Sequence, residues 1–460
     1  MDQVAIPLRR WRLADPLLEI REGETVEVET PLAELYVETW AELGLQPTRP
    51  LGSTPDSWHL TADRWVGVAR LPKRDDLIRQ LRITPKLDAA DIFFLADYAF
   101  GHERNRISEA RLEAFVAANS EQPAAQLIAW FLAELETFIL RHLRRDYVVR
   151  EEVFEARIRG RLLLGEYIQR YVTRGANHLA PCRFYEFTQD NLPNQILKRS
   201  LRELRRLALL VAISQARHEL TQWADRLLPF LGAVSDQQIN PTDFNRLRFR
   251  ASLRHYAPII NKCKALLGRT YMTTQLGPHR QDAFLWNMPI LFERALRGVF
   301  RTTPDVRLLP RSGKATILDP ADQAIRSTSV WPDYILQTSG GKVILDAKYK
   351  DTRIVPDPTD DAIELQMAAP AQKIRVLRSD IYQAIAYGNH NAYKPAEIGL
   401  IYPVALNSSE KLPPPHRVEG FANNVWLLFI DIGSDARAHL DGFRRSIPGT
   451  RRSLELVDAA

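Results

Sequence analysis

The first ninety residues alternate apolar and polar positions with a period of two, the spacing of a half-buried β-strand. Residues 18–29 keep this alternation on both sides of Glu22-Gly23, a dipeptide that favours a turn, and so predict a hairpin. Residues 66–71 and 81–84 have the pattern of further strands. Together these segments predict a β-rich region over residues 1–90.

Over residues 91–275 the apolar spacing changes mostly to the 3.6-residue period of an amphipathic helix. A helical pattern opens at residues 91–99, and a longer one covers residues 123–145 and ends in arginines, which favour a helix C-terminus. Residues 194–267 are helical again, whereas residues 147–164 have an extended, basic pattern. We therefore predict a mainly helical region that contains one extended basic segment.

From residue 276 to residue 460 the pattern mixes helices with strands. Helices are predicted at residues 290–300 and from Ser379, a favourable N-cap, to about Gly388. Strands are predicted at residues 306–309, 330–337, 342–350, 398–402 and 425–432. Residues 351–378 are rich in Pro, Asp and Ala and predict an irregular insertion. The order predicts a multidomain α/β and α+β chain whose last region has an αβββαβ core.

The composition narrows the class of protein only slightly. The chain has 460 residues, a formal net charge of +6 and 45% hydrophobic residues, as in ordinary multidomain globular proteins. Its arginines cluster locally, and guanidinium groups suit phosphate. Cys182 and Cys263 lie too far apart in sequence for a zinc motif and are typical of a reducing compartment. The longest apolar run, residues 207–213, is too short to span a bilayer, so we expect a cytoplasmic protein without a membrane anchor.

Two carboxylates and a lysine are brought together by the hairpin predicted within residues 331–350. A two-residue turn at positions 339–340 places Asp333 opposite Asp346, whereas a turn at positions 340–341 places Asp333 opposite Lys348. Side chains two positions apart share a face of a strand, so either turn gathers all three groups on one face. A turn of odd length separates them.

This set of groups has a clear chemical use. Mg²⁺, with Mn²⁺ as an alternative, takes oxygen ligands from one or two carboxylates, waters and a substrate phosphate. Such an ion lowers the pKa of a bound water, and Lys348 can orient that water or neutralise the developing charge. The other interpretation is a solvated hairpin with scattered charges. The apolar run of residues 343–345 favours the first interpretation, because unpaired charge is costly in a buried strand.

Two predicted helices can add side chains to this set. Glu293 lies at the margin of the apolar stripe of the 290–300 helix, where it either faces the site or pairs with Arg297 four positions on. Gln383 and Tyr387 are four positions apart and so share one face of the next helix, which either contacts the site or is ordinary helix surface or core.

These motifs resemble the PD-(D/E)xK nucleases that carry a RecB-type glutamine motif. Phe292-Glu293, Pro332-Asp333, residues 345–350 (LDAKYK) and residues 380–387 (DIYQAIAY) are similar to the catalytic half of the McrC family, the nuclease subunits of McrBC modification-dependent restriction systems. Residues 83–86 (ITPK), 159–161 (RGR) and 194–198 (NQILK) are similar to its N-terminal half. The segment after Asp351 is longer than is usual in the family, so its positions inherit no role.

The resemblance implies a C-terminal PD-(D/E)xK core that cuts double-stranded DNA in antiviral defence by Mg²⁺-dependent phosphodiester hydrolysis. It implies that Asp333 and Asp346 bind the ion, and that Glu293 completes the metal site directly or through water. Lys348 then assists the attacking water. Gln383 and Tyr387 position the phosphate or a ligand.

The resemblance also implies a partner, an McrB-like AAA+ GTPase hexamer that this chain stimulates through its N-terminal half. The sequence contains no GxxxxGK[ST] loop, so we expect the motor to be a separate chain. Arg157, Arg159 and Arg161 are candidate contacts to that partner or to DNA. Their other interpretation is solvated charge on a hairpin.

Two further functions are compatible with the same motifs. One is a RecB-type repair nuclease or exonuclease of the same fold. The other is a non-catalytic activator of an AAA+ motor, in which the nuclease fold is vestigial. The acidic and basic positions of the predicted site all hold competent residues, which argues against the second.

Overall fold

The computed structural model describes residues 8–49, 57–87, 91–101, 106–119, 122–247, 249, 251–267, 272–273, 283–311, 314–318, 324–329, 331–350, 362–366, 373–390, 393, 397–406, 410–419, 425–433 and 435–450. The chain divides into two compact units. Unit 1 comprises Met1–His102, Ser120–Leu127 and Gln275–Ala460, and unit 2 comprises Glu103–Asn119 and Ile128–Thr274. The predicted β-rich region and the predicted C-terminal region therefore belong to one compact unit.

The secondary structure is mixed throughout. The strands are β1 Arg10–Trp11, β2 Leu17–Arg21, β3 Thr25–Glu29, β4 Leu45–Thr48, β5 Ser57–Ala62, β6 Trp65–Arg70, β7 Gln80–Thr84, β8 Asp146–Glu155, β9 Arg161–Leu162, β10 Leu179–Thr188, β11 Met272–Thr273, β12 Ala283–Asn287, β13 Arg307–Leu309, β14 Lys314–Leu318, β15 Ala324–Ser329, β16 Tyr334–Thr338, β17 Gly341–Ala347, β18 Ala362–Gln366, β19 Lys373–Leu377, β20 Glu397–Val404, β21 His416–Val418 and β22 Val425–Asp431. The helices are α1 Thr30–Leu35, α2 Val37–Glu42, α3 Ile92–Phe100, α4 Glu109–Ala118, α5 Pro123–His142, α6 Leu164–Glu166, α7 Leu192–Ala208, α8 Ser214–Leu227, α9 Pro241–Arg246, α10 Ala257–Leu267, α11 Met288–Thr302, α12 Arg378–Asn389 and α13 Ala436–Ser446.

The predicted hairpin of residues 18–29 is wrong, because β2 and β3 belong to different sheets. Strand β2 pairs in parallel with β7, and β3 pairs antiparallel with β5. The turn between them directs each strand to its own partner, since the N–H of Glu22 donates to Thr84 and that of Gly23 donates to Ala62. The alternating apolar residues of both strands still enter one core, so the pattern predicted burial correctly but not pairing.

The strands predicted at residues 66–71 and 81–84 are confirmed as β6 and β7. They lie beside β12, which pairs antiparallel with β6 and leads directly into α11. A Cβ added to Gly298 of α11 would lie 1.8 Å from the carbonyl oxygen of Tyr98 in α3. Only glycine permits this approach, so the two predicted helices pack backbone to backbone.

A six-stranded mixed sheet forms the core of the C-terminal part of unit 1, in the order β13-β16-β17-β20-β22-β21. Strand β16 pairs antiparallel with β13 and with β17, strand β20 pairs in parallel with β17 and with β22, and β21 pairs antiparallel with β22. The connection from β17 to β20 contains β18, β19 and then helix α12, which is the predicted crossover helix. The αβββαβ order is therefore present.

Three local predictions in this part need correction. Residues 351–378 are not irregular throughout, because β18 and β19 within them form an antiparallel pair. A second unpredicted pair, β14 and β15, lies between β13 and β16. Helix α12 has Leu377 as its N-cap residue, so Ser379 lies inside the helix and does not cap it.

The described part of unit 2 contains helices, a three-stranded sheet and the short strand β11. The helical patterns of residues 123–145 and 194–267 are confirmed by α5 and by α7 to α10. Strand β10 was not predicted, and it pairs along its whole length with β8, while β9 pairs with its middle. Among the described residues only α5 is long and apolar enough to cross a membrane, but 83% of its most apolar window is buried, which is typical of a core helix.

Candidate active site

Helix α11 places Glu293 beside the C-terminal sheet. The side chain of Asn287 caps the helix by accepting from the N–H of Ile290 at 3.2 Å. The apolar stripe of α11 is buried, and Glu293 at its margin is partly buried, as predicted. The Tyr334 hydroxyl of β16 donates to the carbonyl oxygen of Glu293 at 2.6 Å, which fixes the helix to the strand.

The β16–β17 hairpin has the first of the two predicted registers. Thr338 pairs with Gly341, and Tyr334 pairs with Leu345, so continuing the ladder by one residue places Asp333 opposite Asp346. The Oδ2 atom of Asp333 accepts from the N–H of Ala347 at 2.8 Å. This hydrogen bond joins the residue before β16 to the last residue of β17.

Lys348 links the carboxylate of Asp346 to helix α12. Its Nζ lies 2.6 Å from Asp346 Oδ2 and donates to Gln383 Oε1 at 2.6 Å. The amide nitrogen of Gln383 donates to the Tyr387 hydroxyl at 2.8 Å. The structure therefore brings Asp346, Lys348, Gln383 and Tyr387 into one continuous set of polar contacts.

Burial and mutual repulsion both act on the carboxylates of the site. Burial, together with the nearby charges of Asp346 and Glu293, raises the pKa of Asp333 to about 7. Burial also raises the pKa of Glu293 and outweighs the opposing charge of Arg311. A carboxyl group with neighbours of like charge binds a proton or a cation more readily. The site is therefore suited to a divalent ion.

The described residues contain no group of three or more His, Cys, Asp and Glu side chains placed to hold a metal by themselves. Asp333 and Asp346 thus offer two carboxylates rather than a complete ligand set. Two carboxylates completed by waters and a phosphate are a usual arrangement for Mg²⁺, so this donor set fits that ion.

Several polar contacts around the site were not predicted. Arg297 and Arg311 both donate to the carbonyl oxygen of Asp333, at 3.0 Å and 2.9 Å. Asp380 is buried and accepts from Lys350 Nζ at 2.8 Å and from the Tyr402 hydroxyl at 3.1 Å. Asp380 precedes Gln383 by three residues, so helix periodicity could have found it. Nothing in the spacing of Arg311 and Tyr402 indicates their contacts.

The three arginines at 157, 159 and 161 belong to unit 2, whereas the other predicted site residues belong to unit 1. All three are exposed. Arg157 lies over the ring of Phe154 at 4.9 Å, and Arg159 lies over the ring of Phe184 at 4.0 Å. Two of the three are thus held on aromatic rings of the three-stranded sheet and do not extend freely into solvent.

The paired carboxylates, the lysine and the mixed sheet define a candidate metal-dependent site in a multidomain α/β protein. The chain belongs to the family of McrBC 5-methylcytosine restriction system components, whose sequence profile matches residues 60–403. No curated protein matches the chain.

The solved structures that match the chain include two from one organism. One is the refined half-complex from the tetradecameric assembly of Thermococcus gammatolerans McrB AAA+ hexamers with bound McrC. The match has 17% identity and a TM-score of 0.52, and it covers 94% of this chain and 99% of that chain. The other is the cryo-EM structure of the Thermococcus gammatolerans McrBC complex, at 16% identity and a TM-score of 0.38, covering 62% of this chain and 88% of that chain. At these identities the first match supports the fold alone.

Proposed function

We propose that this chain is the nuclease subunit of a McrBC-like restriction system, with a PD-(D/E)xK site that hydrolyses phosphodiester bonds in double-stranded DNA. The observation that carries the proposal is the register of the β16–β17 hairpin. It places Asp333 opposite Asp346 and leaves Lys348 in contact with Asp346. Membership of the McrBC family supports a role in restriction.

In this proposal Asp333 and Asp346 hold Mg²⁺ or Mn²⁺, and Glu293 contributes through a water. The bound ion supplies charge stabilisation for the phosphate and lowers the pKa of a water. The raised pKa of Asp333 supports this assignment, because a third carboxylate near the pair adds repulsion that a cation relieves. The hydrogen bond from the N–H of Ala347 holds one carboxylate oxygen of Asp333 in place.

Lys348 has a defined role in the proposed hydrolysis, which follows from the donors of its ammonium group. An ammonium group has three donors, and Asp346 and Gln383 accept two of them at 2.6 Å each. Asp380 Oδ1 lies 3.9 Å from the same Nζ, beyond hydrogen-bond distance, so we assign the third N–H to the attacking water or to an oxygen of the scissile phosphate. Gln383 orients Lys348 because its own amide is fixed by Tyr387, so both helix residues act on the phosphate through the lysine.

We further propose that an AAA+ GTPase hexamer binds unit 2 and is stimulated by it. Pairing of β8 with β10 puts Tyr147, Tyr185 and Phe187 on one face, and each ring is more than half exposed. Contiguous exposed apolar groups are typical of protein interaction surfaces. Arg161 lies on β9, opposite Arg183 in the middle of β10, and Arg159 lies over the ring of Phe184; both add guanidinium groups that suit carboxylates and phosphates.

The proposal is tested by reconstituting the full chain with the product of a neighbouring AAA+ gene. Cleavage of methylated and plain plasmid is measured with Mg²⁺ and GTP, and GTP hydrolysis is measured in parallel. Asp346→Asn is compared with Asp441→Asn, because the Asp441 side chain is 73% exposed and lies in the same unit.

We expect wild type and Asp441→Asn to cut methylated DNA, and Asp346→Asn to lose cleavage while it keeps GTPase stimulation. Stimulation of GTP hydrolysis without cleavage by the wild-type complex contradicts the nuclease assignment and supports the non-catalytic activator. Cleavage without any dependence on an AAA+ protein supports the RecB-type alternative.

A further inference from the structure

Lys86 is fixed against the turn between β2 and β3 by several polar contacts. Its Nζ lies 3.3 Å from Glu22 Oε1, and its N–H donates to Glu22 Oε2 at 3.4 Å. Its carbonyl oxygen accepts from the guanidinium group of Arg21. The Glu22 side chain is 2% exposed and that of Lys86 is 19% exposed. A pair so removed from water gains little net stability, because desolvation offsets the attraction, but it holds the ammonium in one place.

The same ammonium group contacts the nuclease half of unit 1. Lys86 Nζ lies 4.3 Å from the centroid of the Tyr349 ring, which is the geometry of a cation–π interaction. The Tyr349 ring also packs against Phe292, with the two centroids 5.7 Å apart. Phe292 precedes Glu293, and Tyr349 follows Lys348. The ring of Tyr349 therefore belongs to the residue after Lys348 and contacts the residue before Glu293.

Tyr349 lies where the regular ladder of β17 has ended. The strand ends at Ala347. The N–H of Lys348 donates to Ile401 at 2.8 Å, and the N–H of Lys350 donates back to the carbonyl oxygen of Lys348 at 2.8 Å. This is a tight three-residue turn centred on Tyr349. Beyond the strand, the orientation of the turn depends on where the Tyr349 ring is held.

We infer that Lys86, paired with Glu22, is a positioning residue for the nuclease site and acts through the ring of Tyr349. The inference rests on the proposed nuclease function. Lys86 holds the ring, the ring holds the turn, and the turn sets the place of the Lys348 ammonium relative to Asp346. The segment of residues 83–86, which resembles the N-terminal half of the family, thereby acquires a role in the catalytic half.

The expected change in cleavage rate follows from the dependence of that rate on the position of the reacting groups. A displacement of a reacting group by about 1 Å costs on the order of a hundredfold in rate. Loss of one contact to the ring displaces Lys348 by less than that, so we expect about a tenfold loss in the cleavage rate. The apparent affinity for DNA and the stimulation of GTP hydrolysis should be unchanged, because Lys86 contacts neither substrate in this arrangement.

The test compares Lys86→Met, Lys86→Arg and Lys411→Met in the full chain reconstituted with its AAA+ partner. Methionine keeps most of the apolar stem and removes the charge, whereas arginine restores a cation that stacks on aromatic rings. Lys411 is exposed and serves as the control. Cleavage rate at saturating DNA, the DNA concentration at half-maximal rate and GTPase stimulation are measured.

A second measurement follows the turn itself and needs no cleavage. Hydrogen exchange of the peptide that covers residues 345–350 is compared between wild type and the same variants. We expect faster exchange in Lys86→Met and near wild-type exchange in Lys86→Arg. If Lys86→Met does not fold, Tyr349→Leu replaces it, because this change removes the ring and keeps the Glu22–Lys86 pair.

The outcomes separate the inference from the proposed function. Slower cleavage with faster exchange, both reversed by arginine, supports the positioning role. Wild-type exchange and a cleavage rate within twofold of wild type in both Lys86→Met and Tyr349→Leu overturn it. An inactive wild-type complex refutes the proposed function instead, and the exchange measurement then still decides whether Lys86 holds the turn.

Discussion

Replacing Lys348 with methionine removes one charge from the site and nearly preserves the length of the side chain. The Lys348 side chain is 13% exposed and that of Asp346 is 7% exposed, and their charged atoms lie 2.6 Å apart. Removing one partner of a buried pair costs about 3–5 kcal/mol, because the other charge is left uncompensated. Since Lys348 is partly exposed, we expect a loss of ~3 kcal/mol, which corresponds to a decrease in Tm of roughly 5–10 °C.

Cleavage should respond differently from stability. Loss of a group that stabilises charge in the transition state costs about 10²–10³ in rate. The double variant Asp346→Asn with Lys348→Met removes both charges, so its unfolding free energy should return to within about 1 kcal/mol of wild type. Its cleavage should remain abolished, because a metal ligand and the ammonium group are both absent.

The assay is thermal unfolding of the full chain in chelator, followed by plasmid cleavage with Mg²⁺, GTP and the AAA+ partner. Lys411→Met controls for the general effect of removing a surface lysine. Recovery of both stability and cleavage in the double variant would show that the two residues are structural. A Lys348→Met protein that melts at the wild-type temperature would contradict the buried ion pair.

Three further outcomes are expected. Cleavage should stop in EDTA and return with Mg²⁺ or Mn²⁺, and activity that survives EDTA would refute the metal site. Reversal of Arg159 and Arg161 to Glu should reduce GTPase stimulation at least tenfold. Loss of one exposed ion pair, worth about 0–1 kcal/mol, does not explain so large an effect. The control is Arg246→Glu, because the Arg246 side chain is 78% exposed, and equal effects of the two changes would contradict a specific contact. Burial alone would raise the pKa of Asp190, but hydrogen bonds from Gln195 and Ser235 lower it to about 2. Because this folded pKa lies below the ordinary value of 3.8, ionised Asp190 stabilises the fold by about 2 kcal/mol above pH 4, and this contribution is lost as the pH falls toward 2. In urea unfolding, Asp190→Asn should lower the free energy of unfolding more at pH 7 than at pH 3. The same loss at both pH values would contradict this.

The sequence predicted the positions of the strands better than it predicted which strands pair with each other. Alternation in residues 18–29 correctly indicated two half-buried strands, yet burial of Leu18 and Val26 in one core is equally compatible with a hairpin and with two stacked sheets. The choice between them depends on Thr84 and Ala62, which accept hydrogen bonds at the turn and lie far away in sequence. Local periodicity carries no information on such contacts.

The alternation of side chains along the strands predicted which candidate site residues share a face of the sheet. A period of two placed Asp346 and Lys348 on one face, and an even turn added Asp333. The choice between two turns required the backbone, where Thr338 pairs with Gly341. The contacts of Arg311 with Asp333 follow from tertiary packing and had no signal in spacing.

Diffraction from crystals of the full chain soaked in Mn²⁺, recorded at a wavelength where manganese scatters anomalously, tests the central claim most directly. We predict an anomalous peak within coordination distance of the carboxylates of Asp333 and Asp346, about 2.0–2.2 Å from one oxygen of each. The peak should be absent from crystals of Asp346→Asn soaked in the same way. Crystals in which Mn²⁺ binds elsewhere, while both carboxylates contact only protein and the dissolved protein cuts DNA with Mn²⁺, would contradict the proposed site.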